Sequence, residues 1–193
     1  MSTAPGAFSV VMPARNEAQA IAAVLAELAR LYPAAELIVV DDGSTDDTGA
    51  IAKAAGARVV RHPYSKGNGA AIKTGARAAT RDIVVFMDAD GQHRPSEAGG
   101  LVGQLCDGGY DMVVGARNAA GQASAGRHAA NTVFNRFATW MVGHRIEDLT
   151  SGFRAVRREL FNEFLTCFRT VFHTPPPAPW RFSARVTRWA TGP

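Results

Sequence analysis

Short apolar runs alternate with longer segments of helical period along the first two-thirds of the chain. The runs at 8–12, 36–40, 58–61, 83–87 and 112–115 have strand length and are rich in valine and isoleucine. Between them, residues 18–31 place Ile21, Val24, Leu25, Leu28 and Leu31 on one face of a helix. Further helices are predicted over 47–55, over the Gly-punctuated segment 66–79, and over 95–107, where Pro95 falls in the first turn. Strands that alternate with helices in this way imply a parallel, right-handed α/β sheet flanked by helices.

Beyond residue 129 the rhythm changes. An amphipathic helix is predicted over 129–142, carrying Phe134, Phe137, Trp140 and Met141. A polar loop, Asp148-Leu-Thr-Ser-Gly-Phe-Arg154, and a short helix near 157–165 follow. The pattern then stops, which divides the chain into a domain over 1–165 and a tail over 166–193. The tail holds no Asp or Glu and half of the ten prolines, and Pro175-Pro-Pro-Ala-Pro179 suits neither helix nor central strand. It reads as a truncated or frame-shifted end. The alternative is a Pro-rich basic extension that docks on a partner or a membrane.

Composition narrows the class. With 47% hydrophobic and 20% charged residues among 193, the chain reads as a globular protein of one domain. A net charge of +4 and a pI of about 9.5 suit anionic partners. Cys106 and Cys167 lack metal or redox spacing and read as ordinary buried thiols of a reducing compartment. Neither a signal peptide nor an apolar run of about 18 residues is visible. The expected location is therefore cytoplasmic, with contact at the inner membrane face.

Chemistry-bearing residues gather where ligands bind such sheets, beyond the carboxyl ends of the strands. Asp88-Ala89-Asp90 closes the fourth run, and two carboxylates one residue apart can share a hard cation such as Mg²⁺ or Mn²⁺. Gln92 and His93 stand close enough to complete or orient that shell. Asp41 and Asp42 end the second run and can accept from a base N–H or ribose hydroxyls. Ser44, Thr45 and Asp46 read as helix caps. Lys66 and Gly67 open a helix and suit phosphate. Arg117, Arg127, Arg136 and Arg154 are candidate phosphate clamps, Arg136 reading more readily as a solvated surface group. His62, His128 and His144 read as structural.

Together these motifs resemble those of inverting glycosyltransferases of family 2 with the GT-A fold, closest to the polyprenyl-phosphate branch that includes dolichol-phosphate mannose synthases. The resemblance is carried by Val11-Met-Pro-Ala-Arg-Asn-Glu17, Val39-Val-Asp-Asp-Gly-Ser-Thr-Asp46, Lys66-Gly-Asn-Gly69, Met87-Asp-Ala-Asp-Gly-Gln-His93, Gly115-Ala-Arg117 and Asp148-Leu-Thr-Ser-Gly-Phe-Arg154. It implies transfer of a hexose from GDP-mannose or UDP-glucose to a polyprenyl or dolichyl phosphate at the membrane surface. Pro13, Asn16 and Glu17 would line the nucleotide pocket, and Asp41 and Asp42 would hold base and ribose. Asp88, Asp90 and Gln92 would bind the metal and the sugar diphosphate around Ala89. Arg117 and Arg127 would face donor or acceptor phosphates. The loop from Asp148 would sit near the acceptor, with Asp148 the base if the acceptor were a hydroxyl.

Three other readings stand beside this one. A nucleotidyltransferase would carry a Gly-rich basic signature after the first strand, which Pro13-Ala-Arg-Asn-Glu17 does not supply. A non-catalytic nucleotide-sugar-binding module would share the donor motifs. A nucleic-acid partner is not expected, because the basic residues are scattered without interleaved aromatics.

Overall fold

In the computed structural model, which describes residues 7–115 and 152–163 and the backbone of 185–187, the valine-rich runs become strands of one sheet. In chain order the elements are β1 (Ser9–Ala14), α1 (Ile21–Leu31), β2 (Glu36–Asp41), α2 (Thr48–Ala54), β3 (Arg58–Arg61), α3 (Asn68–Ala78), β4 (Ile83–Phe86), a 3₁₀ turn (Pro95–Glu97) leading into α4 (Ala98–Asp107), β5 (Met112–Gly115) and β6 (Arg154–Arg157). A helix, α5, follows at 158–163, and β7 (Arg185–Thr187) comes last. The sheet order is β3-β2-β1-β4-β6-β5-β7. All neighbours run parallel except β6, which is antiparallel to both β4 and β5.

The alternation of side chains along each strand sorts the core onto two faces. Val10, Met12, Val39, Val85 and Met87 pack with Ile21, Leu25 and Leu28 of α1 and Leu101 and Leu105 of α4. Val11, Ile38, Val40, Val84 and Phe86 pack on the other face with Ala71 and Ala76 of α3. Helix α1 has no side-chain cap at its N-terminus. Its stability therefore comes from burying that apolar stripe, each fully buried aliphatic side chain contributing about 1.5–3 kcal/mol.

The connections explain where a ligand can enter. From β1 the chain steps to β2 and β3 on one side, then crosses to β4 on the other side of β1. Strand order thus reverses between β1 and β4, the place where open α/β sheets leave a crevice at their carboxyl ends. Pairing of β1 with β4 ends at Val11 and Phe86, while pairing of β1 with β2 continues to Ala14 and Asp41. The loops after β1 and β4 therefore splay apart.

Two expectations are corrected here: Cys106, expected to be buried, is exposed on α4, and the chain before α5 takes a different course. The segment after the polar loop begins as strand β6, not as loop running into helix. Ala155 and Val156 are buried on opposite faces of the sheet, which a central strand permits. The sheet is mostly parallel, as the GT-A resemblance implies, with β6 antiparallel to its neighbours. Within the tail, Arg185–Thr187 adds an edge strand on β5, a pairing that the tail's composition does not signal. The helix predicted over 129–142 lies outside the described residues.

Gly75 lets α3 close on the sheet, since a Cβ there would stand 2.2 Å from Val11 Cγ1 and 3.1 Å from Val40 Cγ2. In an open helix Gly→Ala gains about 1 kcal/mol. Here crowding costs about 1–3 kcal/mol, so the sign reverses. Gly75→Ala is expected to lower the urea midpoint without changing the slope of the transition. An unchanged or raised midpoint would show that α3 can shift away at no cost.

Candidate functional site

Asp42 follows β2 and is 5% exposed. Its carboxylate accepts four hydrogen bonds: from His62 Nδ1 (2.7 Å), Ser65 Oγ (2.8 Å) and the backbone N–H groups of Lys66 and Gly67 (both 2.9 Å). Because Asp42 only accepts, the His62 proton sits on Nδ1, and Nε2 meets the Thr74 hydroxyl of α3 at 2.9 Å. Burial alone would raise the Asp42 pKa. The hydrogen bond from His62, with those from Lys66, Ser65 and Gly67, outweighs it and holds the group well below the usual carboxylate range. Gly43 makes the turn possible, with φ +72° and a Cβ position only 2.6 Å from Ser65 N.

The loop after β1 is clasped to the loop after β2. Asn16 N donates to Ser44 Oγ (3.1 Å), Glu17 N to Thr48 Oγ (2.8 Å) and Ala18 N to Asp46 Oδ2 (3.2 Å). In return Asn16 Oδ1 accepts from Thr45 N at 2.9 Å. Asn16 holds a left-handed φ of +58° to do so, a conformation asparagine tolerates better than most residues. Ser44, read from sequence as a helix cap, serves here as an acceptor for the neighbouring loop, whereas Asp46 does both, its Oδ1 accepting from Thr48 N at 3.0 Å at the start of α2.

These two loops, the start of α3 and the end of β4 enclose an open cleft of about 280 Å³. Of the residues singled out from sequence, Pro13, Glu17, Asp42, Gly67, Asp88, Ala89 and Asp90 line it. Ala14, Arg15, Ser65, Asn68 and Ala71 line it as well. Arg15 and Asn68 stand inside motifs recognised in the sequence, whereas Ser65 carried no signal beyond its place before Lys66-Gly67.

Four assignments are corrected. Asp41 cannot meet a base or ribose: it is fully buried, accepts from Ser44 N at 2.8 Å and faces Arg61 Nε at 3.5 Å. Asn16 spends its side chain on Thr45 rather than on the cleft. Lys66 directs its ammonium over the Tyr64 ring, 5.6 Å from the centroid, and contributes its backbone N–H to Asp42. Gln92 is exposed and donates its backbone N–H to Asp90 Oδ1 at 2.9 Å; its side chain is not part of the cleft wall. Arg117, Arg127 and Asp148 lie outside the described residues.

Carboxylates dominate the cleft. Glu17 is pushed up from its ordinary value, first by partial burial and then by the charges of Asp90, Asp46 and Asp88. Such a cluster favours a cation. Among the described residues no three His, Cys, Asp or Glu side chains are placed to hold a metal by themselves. Asp88 and Asp90, both on the cleft wall, could supply oxygen ligands to a hard divalent ion, with phosphate oxygens and water completing its shell. Helix α3 begins beside them, and the first N–H groups of a helix have no intrahelical partner. Asn68 at that end suits an anionic group, whereas the Gly67 N–H, expected to meet phosphate, is already given to Asp42.

Because the Asp42 pKa is depressed in the folded state, its stabilising contribution is complete above the unfolded value of 3.8 and is lost as the pH falls below it. Asp42→Asn is expected to cost about 3 kcal/mol at pH 7. In chemical denaturation the gap to the unsubstituted protein should narrow between pH 7 and pH 2.5. A gap independent of pH would show that the charge is not what the four donors require.

Comparison with known proteins accords with this geometry. The family model described as Glycosyl transferase family 2 matches residues 9–165. A dolichyl-phosphate hexose transferase of Haloferax volcanii is 38% identical over 158 residues, covering 81% of this chain and 68% of that protein. A polyprenol monophosphomannose synthase of Mycolicibacterium smegmatis is 34% identical over 167 residues, covering 80% and 63%. Among solved structures, glucosyl-3-phosphoglycerate synthase of Mycobacterium tuberculosis superposes with a TM-score of 0.67 at 35% identity, covering 79% of this chain and 57% of that one. The chain thus spans between about half and two-thirds of the length of these relatives. A family match over most of the chain, on a GT-A sheet with its acidic pair at the strand ends, identifies the chain as a member of glycosyltransferase family 2.

Proposed function

We propose that this chain transfers a hexose, with inversion, from a nucleoside-diphosphate sugar to a polyprenyl or dolichyl phosphate. The observation that carries the reading is the convergence of Asp88 and Asp90 with the Pro13–Glu17 loop and the start of α3 on one cleft. The names of the relatives from Haloferax and Mycolicibacterium support the acceptor class.

In this reading Pro13, Arg15 and Ser65 form the wall of the nucleotide, and Asn68 receives phosphate at the start of α3. Asp88 and Asp90 would hold Mg²⁺ or Mn²⁺. The ion would supply neutralising charge for the diphosphate leaving group. The acceptor phosphate oxygen forms the new bond to the anomeric carbon as the bond to the donor diphosphate breaks on the opposite side, its electron pair leaving with the diphosphate. That nucleophile is already ionised at neutral pH, so positioning and charge complementarity carry the step. Arg117 and Arg127 are proposed for the phosphates. Asp148 is proposed as a base only for a hydroxyl acceptor.

No helix among the described residues is long and apolar enough to cross a membrane. Action at the membrane surface is part of the proposal and rests on the acceptor. A second reading has its own support: the mycobacterial synthase structures were solved with Mn²⁺, UDP-glucose and phosphoglyceric acid. That makes UDP-glucose the first donor to test, and phosphoglycerate the soluble acceptor to set against a polyprenyl phosphate.

Calorimetric titration with UDP and GDP, with and without Mn²⁺, is expected to show metal-dependent binding of one nucleotide, and Asp90→Ala should abolish the metal-dependent part. With the matching sugar nucleotide, product should form on polyprenyl phosphate in vesicles. Product on phosphoglycerate alone would favour the second reading. Binding without turnover on either acceptor would favour a non-catalytic nucleotide-sugar module, and no nucleotide binding by a folded sample would refute both.

A further inference from the structure

Asp88 is built into a stack of side chains that the sequence places far apart. His93 Nε2 lies 3.3 Å from Asp88 Oδ2. The His93 ring is itself 8% exposed and stacks on Phe153, with centroids 5.1 Å apart and planes 20° from parallel. Phe153 is 2% exposed and fits because position 115 is glycine: a Cβ there would stand 2.8 Å from Phe153 Cδ1. Gly152, one residue earlier, sits against the carboxylate from another side. A Cβ at position 152 would be 2.4 Å from Asp88 Oδ2 and 2.9 Å from Cγ and Oδ1.

We infer that His93 and Gly152 are positioning residues that together hold the Asp88 carboxylate in a single orientation for a divalent cation in the donor cleft, an inference that rests on the function proposed above. Neither residue is among those that line the cleft. His93 acts as a polar stop on one oxygen, and Phe153 keeps its ring from turning. Gly152 acts by absence: a methyl group would push the carboxylate off its place. The arrangement also ties the metal-side carboxylate to the segment leading into β6. Partners of this kind behind a metal ligand change affinity by about 10–100-fold when removed.

Three variants separate positioning from mere packing. His93→Phe keeps a ring to stack on Phe153 and loses the polar contact. His93→Gln can place an amide nitrogen near the position of Nε2. Gly152→Ala adds the methyl. Each is titrated with Mn²⁺ in the presence of saturating UDP or GDP, whichever the unsubstituted protein binds, and free Mn²⁺ is read by electron paramagnetic resonance. A melting temperature is taken on the same samples without metal.

His93→Phe and Gly152→Ala are expected to weaken Mn²⁺ binding about 10–100-fold. His93→Phe should keep its metal-free melting temperature, and His93→Gln should recover most of the affinity. If His93→Phe binds Mn²⁺ as the unsubstituted protein does, the inference fails while the donor-site reading stands. If both His93 variants lose affinity and melting temperature together, the role is packing and the inference also fails. Should Gly152→Ala not fold, the two His93 variants decide. If the unsubstituted protein shows no nucleotide-dependent Mn²⁺ binding, the donor-site reading falls and takes the inference with it.

Discussion

The carboxylate of Asp42 is the constraint on which the cleft depends. It is a nearly buried charge, and leaving such a charge unpaired would cost several kcal/mol. Four donors satisfy it, drawn from β3's end, the following loop and the first residues before α3. Satisfying Asp42 therefore fixes the path of residues 62–67 and delivers α3 with its N-terminus at the cleft. The second clasp, between residues 16–18 and 44–48, is built the same way from backbone N–H groups and side-chain oxygens. Both loops are thus held by the protein's own hydrogen bonds, and a ligand would meet a wall already in place. Preorganisation of this kind lowers the ordering cost of binding and favours charge stabilisation at the reacting centre.

The sheet supplies the other half of the arrangement. Its order reverses between β1 and β4, so the loops after these strands part and leave room. Strand β6, antiparallel between β4 and β5, begins at the carboxyl ends of those strands, and so Gly152 stands against Asp88 and Phe153 against His93. Close approach recurs where these parts meet. Gly75 seats α3 on Val11, Gly43 admits the backbone of Ser65, and Gly152 admits the Asp88 carboxylate. Three glycines spaced widely in the chain thus do related steric work around one cleft.

Much of this was legible in the residues. Valine-rich runs of strand length and the helical period of α1 placed the first five strands within two residues, because burial on both faces of a sheet leaves a plain apolar signal. The place of the acidic pair after β4 was legible because the strand before it is a plain apolar run, and the structure sets both carboxylates on the cleft. Asp41 and Asp42 could not be told apart, since adjacent residues at a strand end point to opposite sides and only the fold says which side holds the ligand. Arg154-Ala-Val-Arg157 was too short and too flanked by helix formers to announce a strand. Its identity comes from pairing with β4 and β5, a tertiary effect. The roles of Asn16 and of Gly152 are likewise contacts across the fold, invisible to local pattern.

The central claim is that the carboxyl ends of β1, β2 and β4 form the site for a metal-bound nucleotide diphosphate. Crystals grown with Mn²⁺ and UDP or GDP, measured for the anomalous signal of manganese, test this most directly. The account predicts one manganese peak coordinated by Asp88 or Asp90 and by diphosphate oxygens, with the nucleoside against Pro13, Arg15 and Ser65 and with Asp41 still buried. A nucleotide bound elsewhere, or a manganese peak apart from both carboxylates, would contradict it.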